Sequence, residues 1–192
     1  MANAIEDLVR EHRWIEEVLA SLEGFIESLG KSPDQERGAI RDYVRFFHHL
    51  VDLCHHGKEE KYLFVKMGAY GFTKDGGPIS AMLSEQDEGR DHLDVLASIG
   101  TREGPLSAKE RSLVHGHGLG YILRIRPHMA REEDILFPAV VHSLPGFVLA
   151  DLARDFAAFE REGLPAGFHD DLRKISARLL EAYPPKPGAT AG

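Results

Sequence analysis

Cysteine is almost missing from this sequence: Cys54 is the only one among 192 residues. An intrachain disulfide is therefore excluded, and the thiol content fits a reducing, cytoplasmic compartment. Long apolar runs are missing as well. None approaches the roughly 18 residues of a membrane-spanning helix, so no membrane partner is expected. The opening stretch MANAIEDLVREHRW is charged from Glu6 onward. It has no apolar signal core, and no secretory leader is expected from it. A basic excess is lacking too: 23 Lys and Arg stand against 31 Asp and Glu, a net charge of −8. The cations are scattered among acids, which argues against nucleic acid as a partner. No alternating pattern of a β-strand occurs at any length.

Histidine is abundant instead, at eleven residues. The apolar pattern is helical throughout. Ile5, Leu8, Ile15, Val18, Leu19, Leu22, Phe25, Ile26 and Leu29 recur at spacings of three and four and predict a helix over 4–29. Gly30 ends it, and Ser32-Pro33-Asp34 supplies a turn and N-cap. A second helix is predicted over 35–67, with Ile40, Val44, Phe47, Val51, Cys54, Tyr62 and Val65 on one side. Residues 68–78 are a glycine-rich loop. A third helix is predicted over 79–99 and a fourth over 107–141. Gly116, Gly118 and Gly120 interrupt the fourth, and Pro127 should kink it. Two shorter helices follow, over 147–162 and 166–182. Four long helices on short connections imply an all-α, antiparallel up-down four-helix bundle over 1–143. Residues 144–183 form a helical extension packed outside it, and a disordered tail is expected over 184–192.

Two segments echo each other. HHGKEEKYLF at 55–64 and HMAREEDILF at 128–137 both read His-x-x-x-Glu-Glu-x-hydrophobic-Leu-Phe. In a helix, residues i and i+4 share a face. His55 with Glu59, and His128 with Glu132, can each chelate a first-row metal through imidazole and carboxylate. Two such pairs facing each other across a core make a carboxylate-bridged dimetal site. A register pairing His56 with Glu60 competes with the first. His12 lies on the apolar stripe of the first helix, beside Leu8, Ile15 and Leu19. Gln86 lies on the face of Met82, Leu83 and Leu93 in the third helix. His117 and Tyr121 share the face of His128 and are placed to line access to it. His48, His49, His92, His115, His142 and His169 are read as surface or structural residues. Cys54 is read as a small core residue, and the acid runs of the first and third helices as solvated faces.

EHRWIEEVL, CHHGKEEKYLF, GPISAMLSEQDEGR and HMAREEDILFP, in that order over 8–138, resemble the hemerythrin-like, HHE cation-binding family. The resemblance implies a four-helix bundle around a non-haem centre of two irons bridged by oxide or hydroxide. His and Glu ligands also accept zinc or manganese. By the same resemblance His12, His55, His56, Glu59, His128 and Glu132 are metal ligands. Glu133, at i+5 from His128, is an alternative carboxylate. Glu60, Arg90, Tyr121 and His117 are expected around the ligands.

The chain departs from the family on the third helix. Where the family reads Glu-His-x-x-Gly-Arg, this sequence reads Glu-Gln-Asp-Glu-Gly-Arg, so Gln86 takes the histidine position. An amide oxygen is a weak, neutral ligand. Gln86 therefore ligates weakly, leaves a position open, or costs the site one metal. The implied function is binding or sensing of dioxygen or a related small molecule, rather than an enzyme. The alternatives are an enzyme acting on peroxide or nitric oxide, and a helical interaction module with a structural metal.

Overall fold

The computed structural model describes residues 4–73 and 76–186. Among them every regular element is a helix. Helix α1 spans Ala4–Ser28. Helix α2 is continuous over residues 33–69, α3 spans Pro78–Gly100, and α4 is continuous over residues 108–143. The extension contributes α5, Gly146–Gly163, and α6, Phe168–Ala182. No single described helix is long and apolar enough to cross a membrane. Residues 184–186 lie against α1, where Lys186 pairs with Glu27 at 2.5 Å. The rest of the expected tail, 187–192, is outside the described residues.

Local sequence explains most helix ends. Pro33 and Pro78 open α2 and α3, where a missing N–H costs nothing. Ser107 and Glu110 form a reciprocal capping box at the start of α4, satisfying two otherwise unpaired amides. Ser32 sits at the N-cap of α2 but makes no side-chain cap bond. Gly167, at φ 77°, takes the left-handed conformation that precedes α6.

Two sequence expectations about the long helices are corrected. Gly116, Gly118, Gly120 and Pro127 do not interrupt α4, which runs through all four. Two of those glycines are close-approach points. A Cβ on Gly118 would stand 2.8 Å from Ile26 Cδ1, and the Gly120 backbone backs onto the His92 ring. The second correction concerns α2. Over Phe47–His56 and again over Glu59–Leu63 its backbone winds as a π-helix. Each π-turn holds more residues than an α-turn, so the apolar face slips in phase. Val65, expected in the core, is 50% exposed, while Leu63, Phe64 and Met67 are buried. A matching π-turn occupies Glu132–Leu136 in α4.

Helix α1 packs on α2 and α4, and α3 packs on the same two. The apolar core falls into two clusters. One joins the C-terminal half of α1, the N-terminal part of α2, the C-terminal half of α3, α4 up to Met129, and α6. The other joins Leu8 of α1, Leu63 of α2, Met82 of α3 and Leu136 of α4 to Leu152 and Phe156 of α5. The N-terminal ends of α1 and α3 thus meet the C-terminal ends of α2 and α4. Both extension helices share these clusters, so 146–182 is part of the same packed body. Between the clusters lies a slab of buried polar side chains.

Candidate metal centre

The slab contains His12, His55, His56, Glu59, Gln86, His128 and Glu132, each at most 3% exposed. They form two triads. His12, His55 and Glu132 make one; His56, Glu59 and His128 make the other. Within each triad the donor atoms lie within 4.8 Å of one another. Glu132 spans both. Its Oε2 is 3.2 Å from His12 Nε2, and its Oε1 is 3.1 Å from His128 Nε2. Glu59 Oε1 lies 3.7 Å from His55 Nε2, on the side of the other triad.

The π-turns make this assembly possible. His55 and His56 are adjacent in sequence, yet both face the slab, one in each triad. The competing His56/Glu60 register does not form, because Glu60 turns outward to Arg90 at 2.5 Å. Arg90 also donates to Asp52 Oδ1 at 2.6 Å, and that oxygen stands 4.0 Å behind His56 Nδ1. Tyr121 is buried against Phe47, with ring centroids 4.8 Å apart. His117 points elsewhere, its Nδ1 lying 3.1 Å from that of His92.

Three carboxylates hold the histidines from behind. His12 Nδ1 donates to Glu133 at 2.7 Å, His55 Nδ1 to Glu11 at 2.9 Å, and His128 Nδ1 to Glu85 at 2.9 Å. A carboxylate only accepts, so each Nδ1 carries a proton and each Nε2 faces the slab. That is the usual support for a metal-ligating histidine. Glu133 is therefore placed behind His12, on its Nδ1. Glu11 and Glu85 correct the expectation that the acid runs of the first and third helices are solvated. Sequence offered one weak signal, since each directly precedes a slab residue.

The slab's titratable groups shift one another strongly. Burial, then the neighbouring Glu132 carboxylate, push the Glu59 carboxyl well above its usual range. Burial also opposes charge on Glu132, but the His12 and His128 imidazoles beside its oxygens outweigh it and hold that carboxyl well below. Burial works against charge on His12, yet Glu132 and Glu133 raise its pKa to about 8. His56 goes the other way: burial and the adjacent His55 and His128 hold it well below its ordinary value.

A fit to metal ions can be tested on unpaired atoms. Both nitrogens of His56, His128 Nε2, Glu59 Oε1 and both oxygens of Glu132 are buried with no hydrogen-bond partner. Buried polar atoms in that state are costly and uncommon. These six atoms cluster in the two triads, and imidazole with carboxylate is a donor set for first-row metals. The residues fit. Gln86 is different. Its Nε2 donates to Glu59 Oε2 at 2.8 Å, leaving Oε1 buried and unpaired.

The model of the hemerythrin HHE cation-binding domain matches residues 3–140. The chain belongs to this family. Its match covers all seven slab residues and stops before the extension. Uncharacterized proteins of Mycobacterium tuberculosis and Mycobacterium bovis are each 25% identical to it over 174 residues. The match covers 90% of this chain and 68% of each relative, so it runs past the family segment into the extension. No solved structure matches the chain.

Proposed function

We propose that the four long helices form the family's antiparallel up-down bundle and hold two iron ions that bind or sense dioxygen or a related small molecule. The observation that carries this reading is Glu132, whose Oε2 faces His12 of one triad and whose Oε1 faces His128 of the other. One ion would be held by His12, His55 and Glu132, the other by His56, His128 and Glu59. Two histidines and one carboxylate leave coordination positions free on each ion, the pattern associated with iron that handles oxygen. Iron at this place supplies reversible electron transfer to, and direct bonding of, a small diatomic ligand.

The protein's own groups do the rest. Glu11, Glu85 and Glu133 fix the tautomers of three ligands before any metal arrives. Glu59 and Glu132 supply the negative charge that favours cations. Gln86 steers Glu59 through its N–H and offers no imidazole, which leaves the second triad one strong donor short of the family pattern. An open, mainly apolar groove of about 600 Å³ runs along Ile5, Val9, Phe137, Pro138 and Val141 beside Glu133. Phe137, in the groove's wall, stacks on His12 of the first triad with ring centroids 5.7 Å apart. This suits a small nonpolar ligand better than a charged substrate.

Protein produced with ample iron should contain about two irons per chain and show a visible charge-transfer band that reverses between aerated and deoxygenated buffer. Less than one iron per chain, or a spectrum indifferent to dioxygen, would overturn the reading. Stopped-flow mixing with peroxide and nitric oxide separates binding from turnover, since a carrier or sensor does not consume them repeatedly.

A further inference from the structure

We infer that helix α5 of the extension is built into the support of the metal centre, positioning ligand His55 through the relay Glu160–Lys58–Glu11. The contact is geometric; its consequence for metal binding rests on the function proposed above.

Lys58 is the origin of the argument. Its side chain is 0% exposed, although it carries an ammonium group. A buried ammonium is tolerated only when paired. Here it is paired twice, with Glu11 Oε1 on α1 and with Glu160 Oε1 on α5 at 2.8 Å. Its ammonium also stands 5.6 Å from the Phe156 ring of α5. Glu11 is the shared member. One oxygen takes the Lys58 ammonium and the other accepts from His55 Nδ1 at 2.9 Å.

Glu11, Cys54, Glu160 and His169 have donor atoms within 4.8 Å of one another, the spacing of a further cation site. Lys58 already supplies the cation among them. The cluster is therefore a closed ion-pair latch joining α1, α2 and α5. A second observation ties α5 to the same turn: a Cβ on Gly57 would come within 3.1 Å of Phe159 Cζ. The glycine between His56 and Lys58 lets α5 lie directly on the ligand-bearing backbone.

The other supports do not reach the extension in this way. Glu85 is held by Arg131 at 2.6 Å, within α3 and α4. Glu133 belongs to α4. Glu160 also lies beyond residue 140, where the matched family segment ends. The relay thus adds to the family's centre a contact from outside the family's segment. With Glu160 uncharged, Lys58 draws harder on Glu11, and Glu11 holds the His55 Nδ1 proton less firmly.

The test compares Glu160→Gln with Glu162→Gln in the full chain. Glu162 lies on the same helix, 70% exposed and paired only with Arg161, so the charge change is matched without the contact. Two readouts are taken: the His55 side-chain nitrogen resonances of metal-free protein, and iron affinity by chelator competition. Glu160→Gln should shift the His55 Nδ1 signal and lower iron affinity several-fold, less than the ~10- to 100-fold of a directly lost ligand support. Glu162→Gln should match wild type, and Glu160→Asp should recover part of both effects. If Glu160→Gln fails to fold, Glu160→Asp decides, since its longer reach to Lys58 must still move the His55 signal. A His55 signal and an iron affinity unchanged from wild type in the folded Glu160 variant overturn the inference. Wild type that takes up no iron overturns the proposed function instead, and the metal-free spectrum still decides the relay.

Discussion

Single residues in the slab are held in states that make sense only as a set. Against burial, the His12 and His128 imidazoles hold the Glu132 carboxyl well below its usual range, and burial with the Glu132 charge pushes the Glu59 carboxyl well above. His12, His55 and His128 are each oriented by an acid on the ring's outer nitrogen, so these acids should matter without being ligands. Glu85→Ala should lower metal affinity about 10- to 100-fold while leaving the metal count at saturation unchanged. Titration against a chelator checks the first and metal analysis the second. Gln86→His should act oppositely, tightening metal retention and slowing or abolishing the response to dioxygen, as read by stopped-flow absorbance. His55 and His128 were legible from the repeated His-x-x-x-Glu-Glu pattern and His12 from its place on the apolar stripe, whereas His56 came only with the family resemblance. Glu11 and Glu85 were not, because nothing in a run of acids says which one turns inward.

Helices carry the next level of decision. The π-turns over Phe47–His56 and Glu59–Leu63 bring two adjacent histidines to one face, which a regular α-helix cannot do. They also explain why the 3.6-residue periodicity misplaced Val65. The glycines of α4 show how packing overrides propensity. Gly116 has open space around its missing Cβ, whereas at Gly118 a Cβ would crowd Ile26. Gly116→Ala should stabilise the fold by about 0.5–1 kcal/mol through helix propensity. Gly118→Ala should lose that gain to overpacking of about 1–3 kcal/mol, giving a net destabilisation. Urea unfolding of the two variants side by side checks the difference in sign. At the start of α4, Ser107 and then Arg37 hold the Glu110 carboxyl down from the usual 4.5 to about 2. A depressed folded-state pKa contributes stability above pH 4.5 that is lost as pH falls toward 2. Glu110→Gln should flatten the acid-unfolding curve across that window and leave its shape above pH 5, roughly, unchanged.

The whole molecule is organised around a polar layer that divides its core. Two apolar clusters supply the packing, and the slab between them leaves unpaired donors and acceptors. Metal binding should therefore stabilise the fold strongly. Free metal about 1,000-fold above the dissociation constant contributes ~4 kcal/mol, or a rise in Tm on the order of 10 °C for a chain of this size. Differential scanning calorimetry with iron and with excess chelator measures it. Loading should also release protons, because a cation opposes the upward shift of the Glu59 carboxyl and favours its ionised form. Isothermal calorimetry in two buffers of different ionisation heat counts them. The extension is part of this economy of contacts, since α5 covers one cluster and reaches the slab through Lys58.

Helix content, helix order, loop positions and the pairs His55/Glu59 and His128/Glu132 follow from apolar periodicity and one repeated motif. Those are local properties, written within a few residues of each other, and the linear chain carries them. The assignment of ligands to two triads, the outward turn of Glu60, the acids behind the histidines and the role of the extension are different in kind. Each depends on contacts between residues separated by tens of positions, such as Lys58 with Glu160 or His12 with Glu133. Such pairs leave no period in the sequence, and only the packing of helices, with α2 rephased by its π-turns, brings them together.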